Sequence, residues 1–325
     1  MRLLPSQEEI MATWRGGIDK PVVSICCISY NHEPYIEDAL AGFLLQQTDF
    51  PFEILIHDDA STDRTAEIIR AYEARYPQLI KAICQSENQF SKGRRMNPEF
   101  NYPRAQGKYI ALCEGDDYWT DRHKLQKQAR FLDEHKEFAL TAHAVDIIDD
   151  TVHAGSYSPY YSNPKAVSTF EDVLFEHFIP TLSILFRKEC MPLPLPYFSR
   201  EVFSMDKAQA LLLTANGLCH YDRQVMGCYR HHDGGITKDK LRDIELFRRR
   251  EYALYREIFG YLDTQPKKWL RQRLARVDFT VALMYRVEKN YALMFAFFMK
   301  SFSKDPLIAV KIMFRKYRIR AARSI

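Results

Sequence analysis

No Cys-x-x-Cys pair occurs in this chain, and its seven cysteines are an odd number. Cys26, Cys27, Cys84 and Cys113 fall inside apolar runs, which points to reduced core thiols in a cytosolic chain rather than to a disulfide framework. Residues 1–20 lack an apolar stretch of signal-peptide length and contain Glu8, Glu9 and Asp19, so no secretory signal is expected. Long hydrophobic runs are missing as well. The nearest candidate, 291–298, falls well short of the roughly eighteen apolar residues that a membrane span needs, so the chain is expected to be soluble or to lie on a membrane surface. Neither a Gly-x-Gly-x-x-Gly motif nor a Walker loop is present, which removes the familiar glycine-rich phosphate cradles. Charge of one sign is scarce too: Lys plus Arg exceeds Asp plus Glu by 46 − 42 = 4, too little to argue for a nucleic-acid partner. That small excess is concentrated in residues 306–325, which hold six Lys or Arg and no Asp or Glu.

What is present is a set of short apolar runs that end abruptly in acids. The run 110–113 finishes in Glu114-Gly115-Asp116-Asp117-Tyr118-Trp119, and the run 53–57 finishes in Asp58-Asp59-Ala60-Ser61-Thr62-Asp63. Open α/β sheets place their ligand crevice beyond the carboxyl ends of the strands, where both clusters fall. Carboxylates gathered there repel one another unless a cation sits between them, and a hard divalent ion such as Mg²⁺ or Mn²⁺ shares such oxygens with substrate phosphates. One acidic cluster can recruit the metal while the other hydrogen-bonds a base or ribose. Together they describe a nucleotide diphosphate site.

The order of elements supports that placement. Ser6 and Glu9 have capping-box spacing, predicting a short helix through Trp14. Residues 22–29 read as a strand buried on both faces, and Ile36, Ala39, Leu40, Phe43 and Leu44 follow at helical spacing. A second strand over 53–57 precedes a helix over 65–76, which Asp63 or Thr62 is placed to cap. A third strand over 80–84 leads into a long polar loop, 85–102, carrying Lys92, Arg94 and Arg95, and a fourth covers 108–113. Alternating strands and helices predict βαβ units, hence a parallel sheet with right-handed crossovers. Beyond these come a helix over 124–135, strands over 139–148 and 181–186, a Pro/Tyr-rich loop over 157–164, a helix from about 203 to 217, and a strand over 224–229. His57 and His143, within or beside apolar strands, read as structural. After Thr237 the apolar spacing is helical throughout.

These motifs resemble those of the family-2 glycosyltransferases, over about residues 20–236. Val-Ser-Ile-x-x-x-Ser-Tyr-Asn at 23–31, Glu-Ile-Leu-Ile-x-Asp-Asp-x-Ser-x-Asp-x-Thr at 53–65 and Gly-Lys-Tyr-Ile-Ala-Leu-x-Glu-Gly-Asp-Asp-Tyr-Trp at 107–119 occur in that family's order and spacing. The resemblance implies an α/β fold of the GT-A type, a Rossmann-like, mostly parallel sheet flanked by helices over 21–236. Residues 1–20 would be an N-terminal extension, and 237–325 a helical C-terminal appendage with a basic amphipathic tail. It implies that Ser29, Tyr30, Asn31, Asp58, Asp59, Glu114 and Asp116 form the nucleotide site, with Tyr30 against the base and Asp59 accepting from it. Glu114-Gly115-Asp116 would be the Asp-x-Asp motif, with Asp116 and His232 reaching Mn²⁺ or Mg²⁺ and Glu114 turned to the ribose or a metal-bound water. Asp117, Tyr118 and Trp119 would lie near donor or acceptor. The family's catalytic acid corresponds to Asp206, the general base for an acceptor hydroxyl, although Asp206 could instead be only a charge favoured at a helix N-terminus.

The implied reaction is inverting, metal-dependent transfer of a sugar from a nucleotide-diphosphate donor, a UDP-sugar, to a saccharide or lipid-linked saccharide acceptor in cell-envelope polysaccharide or lipopolysaccharide assembly. A sugar nucleotidyltransferase and a non-catalytic nucleotide-sugar-binding protein are the alternatives. The first usually brings a Gly-rich basic loop near its N-terminus, which is missing, and the second would not need Asp206. A cytoplasmic enzyme is the expected setting, and residues 307–325 read either as a basic amphipathic helix peripheral at the inner face of the membrane or as an ordinary helix packed on the domain with a solvated basic tail.

Overall fold

The computed structural model describes residues 4–15, 20–149, 164–176, 179–196, 198, 202, 204–232 and 243–307. Two compact units emerge: Met1–Pro196 with Gln209–Asp233, and Tyr197–Ala208 with Gly234–Ile325.

The first unit begins with helix α1, Gln7–Met11, closed by the expected capping box between Ser6 and Glu9. Strands β1 (Val23–Ser29), β2 (Phe52–Asp58), β3 (Ile80–Cys84) and β4 (Tyr109–Glu114) alternate with helices α2 (Ile36–Leu44) and α3 (Thr65–Arg75). Strand β2 is buried along its whole length and β1 nearly so, as the apolar runs require. Further along come β5 (Tyr118–Trp119), α4 (Lys124–Glu134), β6 (Phe138–Asp149), β7 (Val167–Ser168), α5 (Phe170–Phe175), β8 (Leu185–Arg187), α6 (Met205–Thr214) and β9 (Leu218–His231). They form one sheet in the order β3-β2-β1-β4-β8-β6-β9-β5, with β7 pairing β9. The four strands β3, β2, β1 and β4 are mutually parallel, whereas β8 runs antiparallel to both β4 and β6. All seven cysteines are free thiols, and Cys26, Cys27 and Cys113 lie buried in β1 and β4.

Three expectations change. The apolar stretch 181–186 is not one strand but a 3₁₀ turn, Thr181–Ser183, followed by the three-residue β8. Pro180 opens that turn, and Ser183 closes it by donating its hydroxyl to the Pro180 carbonyl at 2.7 Å. The loop 85–102 contains a π-helical turn, Asn97–Asn101, that runs into a 3₁₀ turn, Tyr102–Arg104. Its Asn101 side chain donates to the Cys27 carbonyl at 3.0 Å, tying the segment to β1. The strand expected over 224–229 is longer, because β9 pairs with β5, β6 and β7 along its course. The loop 157–163 and residues 233–242 and 308–325 lie outside the described residues.

The second unit contains α7 (Ile244–Tyr261), α8 (Lys267–Val287) and α9 (Tyr291–Lys304), the helical appendage anticipated from its spacing. Val281, Ala282 and Phe297 meet Ile244 in its core. The start of α6 is held within this unit, where Lys207 donates to Glu251 of α7 at 2.9 Å. Among the described residues no helix is long and apolar enough to cross a membrane.

Strand β5 is seated on an unusual support. Trp119 is buried against Phe43, its indole N–H donates to the Leu182 carbonyl at 2.8 Å, and the Lys124 ammonium lies 4.0 Å above the ring. Lys124 is fully buried and donates to Gln128 at 2.8 Å. Burial pushes it down to about 7. At this side chain the unfolded state therefore holds more protons than the folded one between that value and the ordinary lysine value, and its contribution to stability rises with pH across the window. Between pH 7 and 8.5 the contribution of Lys124 should rise by on the order of 1 kcal/mol, while the seven thiols, all raised by burial in the folded chain, work in the opposite direction as those of the unfolded chain ionise. Urea denaturation of wild type and Lys124→Met at the two pH values isolates the lysine, since the thiols are common to both: the wild-type stability should gain about 1 kcal/mol on the variant from pH 7 to 8.5, and a difference that does not change with pH contradicts it.

Candidate active site

The carboxyl ends of β2 and β4 flank that of β1. In the ladders Ser29 is opposite Asp58, and Ile28 is opposite both His57 and Glu114, so the two acidic clusters reach one sheet edge on either side of a shared strand. The loops beyond are locked together. Asp58 accepts from the Ser29 hydroxyl at 3.0 Å and from the Ser61 hydroxyl and amide at 2.5 and 3.1 Å. Asn31, in the left-handed region at φ 56°, donates its amide to Ser61 Oγ and accepts from the Thr62 amide, both at 2.8 Å. Asp63 accepts from the Thr65 amide at the start of α3 and from the Glu33 amide, at 2.9 and 3.0 Å. Ser29, Asn31 and Asp58, expected in the nucleotide site, meet one another's loops through these bonds. Ser29 and Asp58 are buried, and the side-chain oxygens of all three hold the β1 and β2 loops in mutual register.

Asp59, expected to accept from the base, also accepts within the protein. Its two oxygens accept the Gln89 and Phe90 amides at 2.6 and 3.0 Å, and its carbonyl accepts from Asn88 at 3.1 Å. The carboxylate thus pins the loop that follows β3 onto the sheet edge, with second lone pairs as its remaining acceptor capacity. Tyr30 keeps an open ring beside it, 45% exposed. The loop cations are engaged locally, since Lys92 pairs with Glu87 and Arg94 with Glu99. His57 stacks on Phe100 and meets Gln85, and His143 meets the Ala144 carbonyl; both are buried and structural, as anticipated.

The turn after β4 has a different character. Asp116 Oδ2 lies 3.0 Å from His232 Nε2 and 3.7 Å from His32 Nε2, so one carboxylate sits between two imidazoles. Burial opposes its ionisation, but the His232 hydrogen bond and the nearby His32 and His232 rings hold it below the usual carboxylate range. His32 was absent from the expected site. Its only sequence signal is its position directly after Tyr30-Asn31 at the end of β1. Arg230 fastens the same turn from β9. Its guanidinium donates to the Asp116 carbonyl at 2.8 Å and to Asp38 at 2.9 Å, between the rings of Tyr35 and Tyr118, and its amide donates to Asp117 at 2.8 Å. Gly115 is closely enclosed here: an added Cβ would lie 2.9 Å from Ile36 Cδ1 and 3.0 Å from His32 Nδ1, so those side chains would have to give way.

Asp117, Tyr118 and Trp119, expected near donor and acceptor, form the back of this turn. Asp117 is 2% exposed, and burial, reinforced by the charges of Asp116 and Glu114, pushes it well above the usual range. Tyr118 lies under Arg230, and Trp119 belongs to the core. Glu114 ends β4 half-buried.

Residues 24–190 match the family described as glycosyl transferase family 2. The chain belongs to that family. An uncharacterised protein of Mycobacterium tuberculosis is 38% identical over 225 residues, covering 69% of this chain. The chain spans 63% of that relative's length. The putative teichuronic acid biosynthesis glycosyltransferase TuaG of Bacillus subtilis is 28% identical over 74% of this chain and 89% of its own length. Among solved structures, S. aureus TarS 1–349 in complex with UDP-GlcNAc superposes with a TM-score of 0.56 at 16% identity, covering 90% of this chain and 91% of that one. That likeness shows the GT-A fold: a mostly parallel sheet flanked by helices, followed by further helices.

Within this family-2 chain Asp206 is the second residue of α6 and belongs to the second unit, half-buried. Its neighbour Lys207 anchors that helix start through Glu251, which in turn lies 3.6 Å from Arg273. No group of three or more His, Cys, Asp or Glu able to hold a metal is present among the described residues. Asp116 Oδ2 and His232 Nε2 are nonetheless adjacent, one hard oxygen and one imidazole nitrogen. That donor set fits a divalent ion completed by phosphate oxygens and water.

If Asp58 serves the scaffold alone, Asp58→Ala leaves the Ser29 hydroxyl and the Ser61 amide without their buried acceptor. The cost should be about 2 kcal/mol of folding stability, read by urea denaturation. Wild-type stability combined with lost nucleotide binding would return Asp58 to the ligand.

Proposed function

We propose that this chain is a metal-dependent, inverting glycosyltransferase that moves a sugar from a UDP-sugar to a hydroxyl of a saccharide or lipid-linked saccharide in cell-envelope polysaccharide synthesis. The observation that carries the reading is the Asp116 carboxylate held between His32 and His232 on the turn after β4, at the sheet edge shared with Tyr30 and Asp59. Membership of family 2 supports transfer of a glycosyl group. UDP-GlcNAc on TarS supports a UDP donor, and the name of TuaG supports an envelope polysaccharide as product.

In this reading Asp116 and His232 hold Mn²⁺ or Mg²⁺, with Glu114 beside them toward the ribose or a metal-bound water. When bound, the ion neutralises the diphosphate as it leaves. The residues of the chain do the rest. Tyr30 offers its ring to the base, and the loop pinned by Asp59 walls that side of the pocket. Arg230 keeps the Asp116 backbone in place. Asp206, at the first turn of α6, is the proposed general base. It takes the proton of the acceptor hydroxyl as that oxygen attacks the anomeric carbon on the face opposite the diphosphate, which inverts the configuration. The domain limits proposed are 21–236 for the nucleotide-binding domain and 237–325 for the helical region. A cytoplasmic enzyme, peripheral at the inner face of the membrane, is the proposed setting; the basic stretch put forward for that contact lies beyond residue 307, outside the described residues.

Two variants separate donor binding from chemistry. Asp116→Ala should weaken Mn²⁺-dependent UDP binding by at least about tenfold in calorimetry, a loss of about 1.4 kcal/mol. Equal affinity with and without Mn²⁺ in the wild type contradicts the metal assignment. Asp206→Asn should retain that binding and lose transfer by a factor of about 10² or more, measured as release of UDP or GDP from a panel of nucleotide sugars with acceptor. Lost binding in a folded Asp206→Asn protein would instead place Asp206 at the donor.

A further inference from the structure

Helix α9 is apolar on two sides, and only one of them is covered. Phe297 and Ser301 are buried, the first in the core with Val281, Ala282 and Ile244 and the second donating to the Ala275 carbonyl at 2.8 Å. Tyr291, Phe295, Met299 and Phe302 are exposed, Tyr291 and Phe295 each to 62%. Counted from Tyr291 these four stand at i, i+4, i+8 and i+11, a single stripe along one helix face. An exposed row of three aromatics and a methionine is more than the scattered apolar side chains of an ordinary surface, and such a row marks a contact.

We propose that this stripe is a docking surface for a bilayer carrying anionic headgroups, with α9 lying in the plane of the interface. Length excludes spanning: fourteen residues of helix reach only about 21 Å, against a hydrocarbon core of about 30 Å. Charge selects the partner. Residues 291–304 contain two Lys and no Asp or Glu, Arg286 and Lys289 are exposed just before them with Glu288 between, and after Asp305 the sequence over 306–325 adds six Lys or Arg and no acid. A Tyr/Phe/Met face in a stretch of sequence with this excess of cations is the composition of helices that rest on anionic lipid. A second copy docked through the same face would set these cations against their own counterparts, which disfavours self-association. The surface lies within the second unit and is independent of the transfer reaction, so it can be tested without donor or acceptor.

The test is co-sedimentation of the full chain with vesicles of phosphatidylcholine alone and of phosphatidylcholine mixed with phosphatidylglycerol. The wild type should sediment with the mixed vesicles and be released by high salt. F295S/F302S should bind at least about tenfold more weakly with an unchanged thermal melt, because two exposed rings are lost without touching the core. Phe295→Trp, which keeps the apolar ring, should retain binding and shift its emission to the blue on mixing. Wild-type binding by the folded double variant, absence of wild-type binding, or no blue shift would each overturn the proposal. A wild-type dimer that F295S/F302S converts to monomer in sedimentation equilibrium would overturn it in favour of a second copy.

Discussion

Asp116 remains ionised at a half-enclosed sheet edge because two imidazoles face its carboxylate and a guanidinium holds its carbonyl. Desolvation alone would push the carboxyl the other way, as it does at the adjacent Asp117, which has a backbone amide and no imidazole beside it. Neighbouring acids thus take opposite protonation tendencies from their surroundings. Asp116 is favoured as an anion, and Asp117 is built into the back of the turn. Arg230 connects the two, since its amide bonds one and its side chain the other.

The rest of the unit serves that placement. Three parallel strands deliver their carboxyl ends to one edge, and the loops that leave them are cross-linked by Ser29, Asn31, Asp58 and Asp63 before any ligand is considered. A rim cross-linked in this way costs little to organise when a ligand arrives, which is how preorganised sites gain affinity. The buried Lys124 beneath Trp119 opposes folding near neutral pH, and it lies directly under the strand that follows Asp117.

Much of this was legible in the chain. The runs 22–29, 53–57 and 108–113 announced buried parallel strands, and the acids immediately after two of them marked the sheet edge at which they gather. What individual acids do was less legible, because Asp58 and Asp59 differ only in which neighbours fold back onto them. Asp58 meets residues three positions along and one strand across, and Asp59 meets the amides of Gln89 and Phe90, contacts that no local pattern encodes. His32 escaped notice because a histidine in a polar turn carries no periodicity. The 3₁₀ turn before β8 was hidden inside an apolar run, where only Pro180 hinted at a break. The outward stripe of α9 was masked by the helix being apolar nearly all round, so that spacing alone could not divide core from surface.

The central claim is that Asp116 and His232 are where a divalent ion meets the diphosphate. Anomalous diffraction at the manganese edge, from crystals grown with UDP and Mn²⁺, tests it most directly. The account predicts a single strong peak beside Asp116 Oδ2 and His232 Nε2, contiguous with the diphosphate density. Ordered UDP with no manganese peak at Asp116, or with the metal on other side chains, would contradict it.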